Sequence, residues 1–404
     1  MAYYSFSYSF PYIFFFVFLF LMSINFSNTY DLEIKKSVNS LFFYTLYFSF
    51  IFFIGFRGFI YTDWGKYYDV FMKTPSFFSD KTIKENFFIN YKEWNKGYVY
   101  FTMFFKTFLP NYFLFQAISF YIDFVILFNF FKRYLNNIHL IIMAFAFFFL
   151  FNGVLGFGIE VNLMRNAKSI MCFLLSIRFI ENRKFLPFLL LNLLGYLFHT
   201  TALIFLPLYF ILRNKISKKV ILVLFVIGNL FYLLQIQWLK ELLRFINTTV
   251  HSPFFDLIEV YLRMEKYSGA WGLSIGYLER TFSFFLIYFF QDKLIKYNDK
   301  NQILINSFYI FIFIYLFCSE MSIILNRVGL LFSFGYWVIY PQIYYLLSNK
   351  KKIYFLIIFL FYGILKCSAC DNVLFWYENA LLPHKSYEQR YPIMNEFNRY
   401  IDSK

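Results

Sequence analysis

Long apolar runs separated by short basic clusters leave this 404-residue chain few ways to fold. The runs lie at 10–26, 41–56, 112–131, 138–151, 163–180, 185–198, 200–212, 220–238, 275–290, 303–325, 328–347 and 353–367. Each approaches the length needed to cross a hydrocarbon layer about 30 Å thick. Stretches such as 14–20 and 144–151 show neither the two-residue nor the 3.6-residue alternation of half-solvated elements. The apolar fraction is 60%, against roughly 45–50% in an ordinary soluble domain. The sequence therefore predicts an all-α fold, a polytopic bundle of about twelve transmembrane helices forming one integral membrane domain over 1–404.

The charges orient that bundle. Basic residues cluster between runs at 132–133, 183–184, 213–219, 293–300 and 350–352, and short Lys/Arg-rich loops mark the cytoplasmic side. Alternation then sets both termini outside, where most of the 23 acidic residues also fall. The net charge of +15 is thereby explained by topology, and no basic face carries the stacking aromatics of a nucleic-acid binder. No Lys or Arg precedes the first run and no A-x-A-like site follows it, so it reads as a span and not a signal peptide. The Cys367/Cys370 pair lacks the further ligands of a zinc site, and no metal or other cofactor is expected.

Two outer loops are long, 57–96 and 239–274, and both mix aromatics with charges as interfacial segments do. Function concentrates in such loops. No internal repeat relates the two halves, unlike transporters built from duplicated halves.

Charges inside spans are costly, so each is a functional candidate. Arg165, Arg280 and Arg327 each sit within about one turn of the start of a helix that runs from outside to inside. His199, followed by Thr200 and Thr201, has the same position at the seventh run. Helix N-termini attract phosphate, and guanidinium groups grip it bidentately. Lys168, one turn below Arg165, shares its face. This set suits a diphosphate.

The first outer loop runs from Arg57 through Thr62, Asp63, Trp64, Tyr67 and Phe71. Asp63 is a candidate base for deprotonating an attacking hydroxyl, and Trp64 and Tyr67 are candidates to stack on a sugar. A competing role for Asp63 is to cap a helix that starts at Trp64. His199 is the other candidate base.

These residues carry a resemblance. An Arg at the end of the second span followed by Thr62, Asp63, Trp64, Tyr67 and Phe71 is similar to a motif of the EpsG/Wzy family of bacterial polysaccharide polymerases, with Tyr61 at the motif's Gly position. Gly97-Tyr98 matches a second motif, in which Asn95 stands at the expected acidic place and Glu93 is displaced. Asn162, Arg165, Asn166 and Ala167 resemble a third, Phe198 to Ala202 a fourth, and Arg327 with Pro341 the closing span.

The resemblance implies a GT-C-like fold in the bacterial inner membrane with its active site at the periplasmic face. It implies an O-antigen polymerase, which moves a glycan from undecaprenyl diphosphate to a sugar hydroxyl of the next lipid-linked repeat unit without a metal. Arg57, Arg165, Lys168, Arg280 and Arg327 are then the diphosphate ligands. Undecaprenyl-diphosphate-linked oligosaccharide, membrane lipid and a chain-length regulator protein are the partners to look for. The alternatives are a lipid-linked oligosaccharide flippase, which needs charges along a midplane cavity, and an O-antigen ligase, which shares the donor.

Overall fold

A computed structural model of the chain describes residues 3–24, 32–150, 158–249, 272–321 and 328–402. All regular structure in them is helical: α1 (Phe10–Met22), α2 (Leu32–Phe50), α3 (Trp64–Lys73), α4 (Lys81–Asn90), α5 (Lys96–Phe108), α6 (Tyr112–Tyr134), α7 (Ile138–Leu150), α8 (Gly158–Asn162), α9 (Met164–Glu181) and α10 (Phe185–Phe198). After them come α11 (Lys218–Leu233), α12 (Trp238–Thr249), α13 (Ile275–Tyr297), α14 (Asn301–Phe317), α15 (Phe334–Leu346), α16 (Asn349–Ser368) and α17 (Tyr387–Asp402). The chain divides into two compact units, one of residues 1–209 with 340–404 and one of residues 210–339.

Every apolar run read from the sequence falls mostly in helix in its described part, while the count of twelve spans goes beyond what the described helices show. By length and composition one described helix, Tyr112–Tyr134, is sufficient to cross a membrane alone. A second candidate is a bent pair, Lys218–Leu233 with Trp238–Ile246, whose parts meet at 86°. Several other runs form apolar helices of 10–17 residues. The run at 200–212 is a 3-10 segment, Thr200–Phe205, followed by the short helix Leu208–Ile211.

In the first unit α1 packs on α7 and α16. Gly363 makes that packing possible: a Cβ there would lie 2.0 Å from the ring of Phe16. α9 and α10 form a tight hairpin in which Gly195 faces Cys172 and Asn192 bonds Ser176 Oγ at 3.2 Å. At one end of this unit Arg133 pairs with Glu181, and His139 Nδ1 meets Met22 O at 3.2 Å. At the other end of α1 the segments 3–9, 57–111 and 370–402 come together: Val373 N donates to Tyr3 O at 2.8 Å and Gly58 N to Glu378 O at 2.7 Å.

That second end departs from the expectation of an interfacial loop. Residues 57–111 fold into α3, α4 and α5 around an aromatic core of Phe59, Trp64, Tyr67, Trp94 and Tyr98, which Ile393, Met394 and Phe397 of α17 complete. The loop aromatics find partners in the tail, so the segment buries them rather than floating on a surface.

In the second unit Lys218 pairs with Asp292 at 2.5 Å. Asn306 Nδ2 donates to Leu212 O and Asn214 O, each at 2.8 Å, so the basic loops again share one end. Trp238 Nε1 donates to Phe317 O at 2.6 Å at the other. The second long loop begins as α12; its residues 250–271 lie outside the described ones.

Candidate functional site

α2 ends in a π-helical turn, Ile51–Gly55, closed by Phe56 N donating to Ile51 O at 2.9 Å. Such a turn leaves carbonyls without their usual i+4 partners. Gln116 Nε2 takes up Gly55 O at 3.0 Å and Arg57 O at 2.8 Å, and Arg57 Nη1 takes up Ile54 O at 2.7 Å. The chain leaves α2 in a fixed direction.

Four residues later Tyr61 adopts φ 69°. This left-handed conformation costs a residue with a Cβ roughly 1–2 kcal/mol and costs Gly little. The position is the one where the family motif has Gly, so the structure supplies the physical reason for the motif and for the strain of the departure.

The strained turn delivers Thr62 and Asp63 to Asn162. Asn162 Oδ1 accepts from Asp63 N at 2.9 Å and from Thr62 Oγ1 at 3.2 Å. Asp63 occupies the N-cap position of α3, yet its side chain makes no cap hydrogen bond. Its Oδ1 accepts instead from Thr62 Oγ1 at 3.4 Å.

Asn162 ends α8, and after a break at Leu163 the helix resumes with Arg165 in its first turn. The Arg165 guanidinium lies 4.3 Å from the centre of the Trp94 ring, a cation–π contact. Its Nη1 donates to Asn95 Oδ1 at 3.4 Å, while Nε is buried without a hydrogen-bond partner. The Tyr67 hydroxyl lies against the Arg165 backbone N–H and side chain. Burial pushes the Tyr67 phenol above its usual range and the Arg165 charge opposes the rise, so Tyr67 stays protonated at neutral pH. Asn95, which stands where the family motif has an acid, reaches Arg165 without neutralising it; the displaced Glu93 is exposed.

One residue on, Asn166 Oδ1 accepts from Thr201 Oγ1 at 2.7 Å. His199 Nδ1 in turn accepts from Thr201 N at 3.2 Å. The same Nδ1 also lies 2.9 Å from Thr201 Oγ1, so the ring is held by both the backbone and the side chain of Thr201. Asn162 at the end of α8 and Arg165 and Asn166 in the first turn of α9 thus hold Asp63, Trp94 and, through Thr201, His199.

Gly97 closes the arrangement by letting the start of α5 touch the end of α10. A Cβ on it would stand 2.6 Å from Leu197 O and 2.7 Å from Leu197 Cβ. Gly97→Ala is expected to part the two helices and disturb Trp94 and His199 together, at a cost typical of overpacking, about 1–3 kcal/mol. The protein's thermal midpoint checks this; an unchanged midpoint contradicts the tight approach.

Other expected site residues are engaged elsewhere. Arg57 is 3% exposed, and its Nη2 donates to Glu160 O at 2.8 Å, so its donors are committed to carbonyls rather than open to phosphate. Lys168, 6% exposed, points into α6, where it pairs with Asp123 and donates to Ser119 O at 2.7 Å. Around them Arg57, Gln116, Ser119, Glu160 and Lys168 line a crevice too narrow for water. Burial and the neighbouring Asp123 push the Glu160 carboxyl well above its usual range. Trp64 and Tyr67, 4% and 5% exposed, are taken up by the aromatic core; Trp64 Nε1 donates to Tyr61 O at 3.0 Å. The faces expected to stack on a sugar are packed on protein.

Arg280 belongs to the second unit, where its guanidinium lies 3.9 Å from the centre of the Tyr315 ring. Arg327 lies outside the described residues. Among the described residues no three His, Cys, Asp or Glu side chains group to hold a metal ion.

The first unit therefore presents one arginine on an aromatic wall, one carboxylate on a strained turn and one imidazole, side chains able to hold an anion, accept a proton and form a hydrogen bond. The chain belongs to the EpsG family, whose sequence model matches residues 40–386. That membership sets it among glycosyltransferase-type polymerases of polysaccharide biosynthesis. No curated protein and no solved structure matches the chain.

Proposed function

We propose that the chain polymerises lipid-linked repeat units, transferring the growing glycan from undecaprenyl diphosphate to a sugar hydroxyl of the next unit. The observation that carries this reading is that Asn162 of α8 holds the Asp63 turn and Asn166 of α9 holds Thr201 beside His199, with Arg165 between the two asparagines in the chain. The acceptor oxygen bonds to the anomeric carbon as that carbon's bond to the diphosphate oxygen breaks. The hydroxyl proton passes to Asp63, and the diphosphate departs with the bonding electrons. Arg165 neutralises the charge that develops on it, the main source of acceleration, and no metal takes part. The His199 ring is the second donor to that group.

The membrane setting is supported by helix faces that leave large apolar side chains uncovered, among them Val223, Val226 and Leu230 on α11 and Ile353, Ile357 and Phe361 on α16. Such faces suit lipid and not water. Cytoplasmic assignment of the basic loops then sets the Asp63 cluster at the periplasmic face of the inner membrane. A flippase fits less well, because the deep cation Lys168 is already paired with Asp123 instead of lining a passage. A ligase shares the donor, and the first-loop motif favours the polymerase.

His199→Gln separates donor from base. Gln supplies an amide N–H in place of the ring N–H, so polymer output is expected to fall by no more than about ten-fold, with no new pH dependence near about 6.5. Complete loss in this variant, with wild-type activity falling as pH drops through that range, would make His199 the base and Asp63 a binding residue. The reading as a whole is tested in cells lacking the chain, which should carry single repeat units until it is restored.

A further inference from the structure

The strained turn at Tyr61 is held from behind by the chain's own tail. Tyr61 N donates to Leu374 O at 2.8 Å, Gly58 N to Glu378 O at 2.7 Å, and Ala380 N to Phe56 O at 2.7 Å. Between these two segments lies the side chain of Arg390, from α17, at 3% exposure. Its Nε donates to Phe59 O at 3.1 Å on the first segment, and its Nη2 donates to Val373 O and Trp376 O, each at 3.0 Å, on the second. The guanidinium faces the Trp376 ring at 5.1 Å. A buried cation that gives its donors to carbonyls of two separate segments is a cross-tie. α17 also reaches α3 directly, since the Tyr391 ring would lie 3.1 Å from a Cβ on Gly65. The family match stops at residue 386, so Arg390 is assigned nothing by it.

We propose that Arg390 is a positioning residue of the transfer site, holding the 59–61 backbone in the left-handed turn that brings Asp63 to Asn162 and Arg165. The proposal rests on the reading of that cluster as the site of glycan transfer. A residue in a sparsely populated conformation persists only where its surroundings over-determine it. At Tyr61 the front hold is Asn162 and the rear hold is the tail with Arg390. Without the rear hold Tyr61 is free to relax to an ordinary φ, and Thr62 and Asp63 turn away with it. Gly at 61 takes up the same turn without being held.

The test uses the full chain in membranes with Arg390→Gln, Tyr61→Gly and the double variant. Two quantities are read: hydrogen exchange of the Gly58 and Tyr61 amides, and the ladder of polymer lengths. In Arg390→Gln both amides should exchange about ten-fold faster and polymer output should fall about ten-fold, the scale of one left-handed residue. Tyr61→Gly alone should stay near wild type. The double variant should recover polymer to within about three-fold of wild type, as coupled sites do.

Unchanged exchange in Arg390→Gln overturns the proposal, and so does a double variant as poor as Arg390→Gln, which would reduce Arg390 to a general folding role. Should Arg390→Gln fail to accumulate, Arg390→Lys, which keeps the charge but not the planar fork, is put through the same cycle and judged by the same rescue. A wild-type chain that makes no polymer would defeat the functional reading alone, since amide exchange judges Arg390 without it.

Discussion

Asp63→Asn is expected to leave cells with single repeat units, with turnover reduced by about 10²–10⁴, the range a positioned base contributes. The amide fills the same space and keeps the backbone N–H that Asn162 holds at 2.9 Å, so the turn should survive. What it cannot do is accept the proton of the acceptor hydroxyl. Binding of the lipid-linked donor should be retained, because Arg165 and not Asp63 contacts the diphosphate in this account. The variant is checked by the polymer ladder together with donor retention on the purified protein. A normal ladder removes Asp63 from the chemistry, and loss of donor binding makes it a binding residue.

Arg165→Lys is expected to be nearly as severe. The ammonium keeps the charge but has no planar fork to lie on the Trp94 ring while reaching Asn95 and the Tyr67 hydroxyl. Loss of a preorganised donor to a developing anion lowers kcat by about 10²–10³. The protein should accumulate normally, because the charge is kept and no ion pair among the described residues depends on it. Measured with a soluble donor analogue, the loss should fall on kcat at least as much as on KM, as for an interaction strengthened in the transition state. An effect smaller than about three-fold would reduce Arg165 to an anchor.

Much of this cluster could be read from the sequence because its residues lie in local patterns. Asn162 ends α8, Arg165 and Asn166 open α9 a few residues on, and His199 and Thr201 occupy the turn that follows α10, so spacing alone brings them near helix ends. Which cation stays available for a ligand was not legible. Arg57, Arg165 and Lys168 look alike in sequence, and what separates them is the partner that distant segments supply: the carbonyls of Ile54 and Glu160 for Arg57, the Asp123 carboxylate for Lys168, an aromatic wall for Arg165.

The fate of Trp64 was hidden for the same reason. Its ring packs against Tyr387 and Tyr391, more than three hundred residues later in the chain, and no periodicity in the first loop announces that contact. The left-handed φ of Tyr61 was visible only as a mismatch with a glycine. The helices of the apolar runs were legible, since apolar length fixes them, whereas α4, α5 and α17 were not; nor were the π-helical end of α2, whose carbonyls Gln116 and Arg57 take up, and the break after Phe198, where the His199 ring accepts from Thr201 N.

The central claim is that the chain itself joins lipid-linked units. The direct measurement is reconstitution of the purified protein into liposomes with undecaprenyl-diphosphate-linked repeat units and no nucleotide sugar. The account predicts a ladder of polymer still attached to lipid diphosphate, one free undecaprenyl diphosphate released per linkage formed, and neither product with Asp63→Asn. Movement of intact units across the bilayer with no ladder, or a ladder that appears only when a nucleotide sugar is added, would contradict it.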